Sequence, residues 1–428
     1  MKTEIFKSDI LNAEYSLTVL DNGLKIYIME KPDFNSAYAA FGTKYGSIDT
    51  CFSLNDGEMV RVPEGIAHFL EHKLFESEDG DAFSRYAKTG AYANAFTSFD
   101  KTCYVFSCSD LFDENLDILL DFVQNPYFTA ATVQKEQGII GQEIKMYDDS
   151  PSWCVLFNAL EAMYHNHPVK IDIAGTVDSI AQIDDKLLYS CYNTFYNPAN
   201  MFICIAGNVK AEQVIQKIKN AIKPAPPVKI TRDEIAEPDG VVSNYIEKQL
   251  EVAMPLFCYG YKLKAGKGEP TLKEAICVNI LLKILAGDAT PLYARLTEKG
   301  LINDEFDYEF FTGRGYASVL FDGESSNPQA LAEEISKEIQ NVKKNGIDKD
   351  LFEAARRDSF GSAVKRYNSV NNIVMSFIDA AVSDYNVFDE LDILKNLIVS
   401  DVERYIDIFN DEKSVLSVIK PKQNGEEK

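Results

Sequence analysis

Residues 223–240, KPAPPVKITRDEIAEPDG, break the chain near its middle. Proline supplies no N–H to a helix or a sheet ladder, and the charges between the prolines follow no helical period. The stretch therefore reads as a linker. What constrains the fold is that the same order of elements recurs on either side of it. Before it, alternating residues flank Asn22-Gly23 in YSLTVLDNGLKIYIME, a hairpin signal. The strand AYAAFGTKYGSID follows, then a helix from about Pro63 to Glu76, a strand pair turning near Ser98–Lys101, helices and the strand NMFICIAGNV. After it come the strand PLFCYGYKLK, two helices, the hairpin DEFDYEFFTGRGYASVLFDG, two further helices and a last strand, SVLSVIKP. The expected class is α+β, with two homologous domains at 1–222 and 241–428. Each is a largely antiparallel sheet with helices packed on one face.

Only 4 histidines occur in the 428 residues, and two of them stand in EGIAHFLEHKLFE. On a helix, positions i and i+4 project from one side, so His68 and His72 can grip one ion. Two neutral imidazoles so placed suit Zn²⁺. Glu71, between them, is placed to take a proton from water at the metal. The order H-x-x-E-H inverts the commoner H-E-x-x-H. The apolar flanks GIA and FL argue against a solvated surface pair, because two histidines and a glutamate buried together need partners.

A catalytic zinc takes a third protein ligand. The remaining histidines, His165 and His167 in YHNHPV, are two apart beside a proline and read as surface or supporting residues. KEQGIIGQEIKMYDD is the better source. There Glu136 and Glu143 share one helix face, one able to bind metal and the other to hold a histidine N–H. Thr129 or Thr132 would cap this helix, and Pro151 would kink or interrupt it.

GIAHFLEHKLFE, GAYANAFTSFDKTCYVF and KEQGIIGQEI together resemble the pitrilysin, insulysin and mitochondrial processing peptidase family of zinc peptidases, in its small bacterial form. The likeness continues through HPVKIDIAGTVDSI and NPANMFICIAGNV. It implies that His68, His72 and Glu143 hold one zinc per chain, that Glu71 is the general base and that Glu136 supports the site. It also implies that Ala93, Asn94, Ala95 and Phe96 form an edge strand that takes a peptide by strand addition. One departure stands out. In the family an arginine and a tyrosine help bind substrate, in a segment like LFxxVREKxGLxY, whereas this chain has PLYARLTEKGLINDEFDYEF. Thr297 occupies the arginine position and Asn303 and Asp304 stand near the tyrosine position. Arg295, Arg314, Tyr308 and Tyr316 do not fit the spacing. The resemblance thus implies a homologous partner subunit supplying the pair. The alternatives are a self-sufficient homodimer and a non-catalytic peptide-binding subunit.

Composition narrows the remaining classes. A net charge of −23 repels phosphate backbones, so nucleic acid is a poor partner. No apolar run is long enough for a membrane span. The start, MKTEIFKSDILNAEY, has no apolar core of a signal, and the 8 cysteines show no C-x-x-C pair. They read as reduced thiols in a cytoplasmic protein.

Overall fold

A computed structural model describes residues 1–78, 80–265 and 269–422. The chain forms two compact units, neither continuous in sequence. The first comprises Met1–Ile144, Asp172–Asp233 and Ala363–Leu391, the second Lys145–Ile171, Glu234–Ser362 and Asp392–Lys428.

The sheet of the first unit runs Lys2–Ser8, Ala13–Val19, Lys25–Glu30, Met201–Gly207, Ala37–Thr43, Thr102–Cys108, Tyr92–Thr97. Only the pairing of Lys25–Glu30 with Met201–Gly207 is parallel. The expected hairpin turns at Leu20–Leu24, where Gly23 has φ 91°. A Cβ there would stand 2.9 Å from Ala199 Cα, so the turn requires glycine. Alternation sends Ile26, Ile28, Ala39, Phe41, Tyr104, Phe106, Ile203 and Ile205 into one continuous core. The helices Ile66–Leu74 and Phe112–Gln124 cover that side. Met201–Gly207 is buried at every position because its other face is covered too. The cover there is helix Val370–Ser383, whose Phe377 ring lies 5.0 Å from Tyr15 and 5.7 Å from Tyr27.

The second unit's sheet runs Tyr245–Leu250, Ser414–Pro421, Leu256–Lys262, Tyr316–Glu324, Asp307–Gly313. Its one parallel pair is the first two strands. Counted from Lys25–Glu30, the first unit has this same order: first strand, last strand in parallel, second, fourth, third. Helix Pro151–Met163 packs on this sheet, where Tyr164 and Ser318 hydroxyls meet at 2.7 Å. The expected interruption at Pro151 is real. One helix ends at Asp148, and the proline takes the first turn of the next, where its missing N–H costs nothing.

The stretch read as a linker is partly a strand. Ile230–Arg232 pairs antiparallel with Cys51–Leu54, and Arg232 Nε donates to Asp49 at 2.7 Å. Three residues are too few to show a period, and their partner lies far upstream. All eight cysteines are free, seven of them buried. Among the described residues no single helix is long and apolar enough to cross a membrane.

Candidate metal centre

The motif helix is Ile66–Leu74, starting three residues later than its sequence predicts. Gly65 ends the preceding turn with φ 85°, and a Cβ on it would lie 2.3 Å from the Ala174 carbonyl oxygen. The approach of the 174–175 backbone therefore sets the start. Ile66, Ala67, Phe69, Leu70 and Leu74 are buried and pin the helix to the core. Each fully buried large apolar side chain contributes about 1.5–3 kcal/mol. That anchoring offsets the cost of the polar residues the helix carries into the site.

The facing helix is Ala130–Asp148. Thr129 and Thr132 cap it reciprocally, each hydroxyl accepting the other's backbone N–H at 3.2 Å. Val133, Ile140 and Ile144 are buried, and Glu136 and Glu143 each stand one turn from them on the same side.

The two helices bring five predicted residues together. His72 Nδ1 lies 3.0 Å from Glu136 Oε1, which fixes that ring's tautomer and turns Nε2 the other way. His72 Nε2 is 3.5 Å from Glu143 Oε2, and His68 Nε2 is 3.8 Å from Glu143 Oε1. One ligand atom from each of His68, His72 and Glu143 lies within 4.8 Å of the others. The two Glu143 contacts are at or beyond the limit for direct hydrogen bonds. They match donors ringed about a common centre, since tetrahedral zinc ligands stand about 3.3 Å apart. The donor set, two imidazoles and a carboxylate, therefore fits a zinc ion.

The charges agree with this. Burial, then the neighbouring His72, pulls His68 down to about 3, so its ring is neutral. Burial also opposes a charge on His72, but the Glu136 hydrogen bond and the carboxylates of Glu71, Glu143 and Glu136 outweigh it and raise the pKa. Glu71 is buried, and burial pushes its carboxyl up to about 7 against the opposing pull of His72 and a hydrogen bond from Thr97. A carboxyl that titrates near neutrality can take and return a proton.

Ala93, Asn94, Ala95 and Phe96 fall on the strand Tyr92–Thr97, the sheet's last. It pairs with Thr102–Cys108 on one side and packs against the motif helix. Asn94 is exposed, and its Oδ1 accepts from the Ala95 N–H at 2.9 Å. Sequence reasoning missed Thr97, the next residue but one, whose hydroxyl donates to Glu71 Oε2 at 3.1 Å. The signal was its position in strand alternation with Ala93 and Ala95, which pack on the core.

One expectation needs correction. His165 is exposed, but His167 is buried, not a surface residue. Its Nδ1 accepts from the Val169 N–H at 3.2 Å and its Nε2 donates to the Arg314 carbonyl at 3.1 Å. Burial holds it neutral, with a pKa of about 4. Of the residues near the arginine–tyrosine segment, Arg295 is held by Glu338 and lies 3.7 Å from Glu334. Tyr316 is buried, Tyr308 half-buried on its strand, and Thr297 exposed. Asn303 donates to Glu324 at 2.7 Å.

Comparison with known proteins places this geometry. Residues 57–177 match the family model Insulinase (Peptidase family M16), and residues 182–358 match Peptidase M16 inactive domain. The chain is 42% identical over 408 residues to zinc protease YmfH of Bacillus subtilis, covering 94% of this chain and 95% of that one. An M16-like peptidase of Alicyclobacillus acidocaldarius superposes with a TM-score of 0.93 at 33% identity, over 96% of this chain and 99% of that one. Pitrilysin shares the fold, with a TM-score of 0.76 at 16% identity, over 99% of this chain and 46% of that one. The chain belongs to peptidase family M16, the insulinase family, among relatives named as zinc proteases.

Proposed function

We propose that this chain is the zinc-carrying subunit of a peptidase that hydrolyses unfolded peptides in the cytoplasm. The observation that carries the reading is the convergence of His68, His72 and Glu143 beside the buried carboxyl of Glu71. His68, His72 and Glu143 would hold one zinc. When bound, the ion supplies Lewis-acid activation of water and of a peptide carbonyl. Glu136 orients His72 through Nδ1. Glu71 accepts the proton from water and returns it to the leaving amine. The strand at Ala93, Asn94, Ala95 and Phe96 binds an extended peptide along its open edge, which favours unfolded segments.

The catalytic residues would all lie within residues 1–222, and the unit without metal would be built mostly from residues 241–428. A homologous partner would supply the arginine and tyrosine. This is supported by Thr297 at the arginine position and by the engagement of Arg295 with Glu338. The test pairs elemental analysis with turnover, using the chain alone and with any paralogue encoded beside it. Glu71→Gln should keep about one zinc per chain and lose hydrolysis. A Glu71→Gln variant that still cleaves peptides would sink the assignment of the base. Full activity of the chain alone would sink the partner.

A further inference from the structure

The edge strand and the base are joined by a contact that the reading above does not use. Thr97 is the last residue of Tyr92–Thr97, and its Oγ1 donates to Glu71 Oε2 at 3.1 Å. Its backbone is fixed by the final cross-strand pair before the turn, Thr97 with Thr102. Thr102 is fully buried, its hydroxyl donating to the Tyr45 carbonyl at 2.9 Å and lying 3.4 Å from Thr97 Oγ1. The donor thus stands on a rigid ladder rather than on a loop.

A carboxylate has two oxygens and a free torsion. With Oε2 occupied by Thr97, Glu71 is held at one setting, and Oε1 is the oxygen left for a proton. The same strand carries Asn94 and Ala95, where a peptide would add. We propose that Thr97 is the positioning residue of Glu71: it fixes which oxygen acts as the base and ties that setting to the strand that receives substrate. The proposal rests on Glu71 being the base.

Thr97→Val keeps the shape and removes the donor. Thr97→Ser keeps the donor and removes the methyl. Crystal structures of the zinc-loaded full chain should show Glu71 in one position in wild type and Thr97→Ser. In Thr97→Val it should be displaced or divided between conformers, with His68, His72 and Glu143 unmoved. In the active preparation, Thr97→Val should lower kcat about 10- to 100-fold, as loss of an orienting partner does, with KM and zinc content held. Thr97→Ser should restore kcat to within about 3-fold of wild type. If Thr97→Val does not fold, Thr97→Ala, which cannot crowd the site, replaces it.

The idea is overturned if Glu71 keeps its place in the donor-less variant, or if the serine and valine variants lose equal activity, which would mark a packing role. Glu71→Gln separates the two layers. An inactive Glu71→Gln beside a wild-type-like Thr97→Val removes this inference alone, whereas an active Glu71→Gln removes the reading beneath it.

Discussion

The helix Ile66–Leu74 faces Ala130–Asp148 through His68, His72, Glu136 and Glu143. At the same place in the order of elements of the second unit, Leu272–Ala286 meets Lys349–Arg366 through an ion pair of Lys283 with Asp358. Both helix pairs follow the second strand of their sheet's common order and precede its return, yet one is self-neutralising and the other is not. The lysine and aspartate cancel and stay partly in water, with side chains 30% and 62% exposed. In the first unit three carboxylates surround two imidazoles, one of which burial keeps neutral. Carboxylates outnumber imidazoles there, and a divalent ion would offset their charge. Leu272–Ala286 buries nine residues, all apolar or cysteine, and has no histidine to offer. One framework is therefore packed as core in one unit and carries the histidine–carboxylate cluster in the other.

The largest effect that would break this contrast is loss of the metal. His72→Ala should reduce bound zinc from about one per chain to near none, by elemental analysis after dialysis. Lys283→Met should leave it at the wild-type level. Equal zinc in the His72 and Lys283 variants would mean that the ion sits elsewhere.

Removing Glu136 acts one step back. Glu136→Gln should weaken zinc binding about 10- to 100-fold while the ligands remain. It also predicts a direction in pH. The folded pKa of His72 is raised, chiefly by the Glu136 hydrogen bond, and zinc must displace that proton. In wild type, affinity should start to fall above the ordinary histidine value of about 6.5 as pH is lowered. Without the Glu136 charge, the largest of the influences raising the His72 pKa is weakened and that pKa falls from its wild-type position. The acid midpoint of zinc release should then move down even as the plateau affinity weakens. Chelator competition across the neutral range reads both. An unchanged midpoint would show that Glu136 does not control the ring.

Much of this site was legible because helix spacing is a local rule. His68 with His72, and Glu136 with Glu143, each follow from one period on one helix. That Glu136 meets Nδ1 of His72 follows from packing; the family resemblance implies only that Glu136 supports the site. Alternation puts Thr97 on the inward face, but its contact with Glu71 was not legible, because it joins a strand to a helix across 26 positions. His167 was misread because its partners are backbone groups, which leave no trace in residue type. Neither Pro151–Met163 nor Val370–Ser383 stands out in the sequence reading as a helix of its own. Their apolar faces do not record which sheet they cover, and each joins the unit whose sheet lies outside its own half of the chain.

The buried ties of residues 223–240 sharpen the comparison by stability rather than by metal. Asp49 is buried and receives Arg232 Nε at 2.7 Å. Removing one partner of a buried pair costs about 3–5 kcal/mol, so Arg232→Ala should lower the denaturant midpoint markedly. The Lys283–Asp358 pair is partly solvated, and the same operation there should cost about 0–1 kcal/mol. Measured by chemical denaturation, with zinc content as a control, the two substitutions should differ several-fold. Equal costs would mean that the 230–232 strand is a loose connector after all. A large cost at Lys283 alone would mean that the second helix pair is held by its charge and not by its nine buried residues.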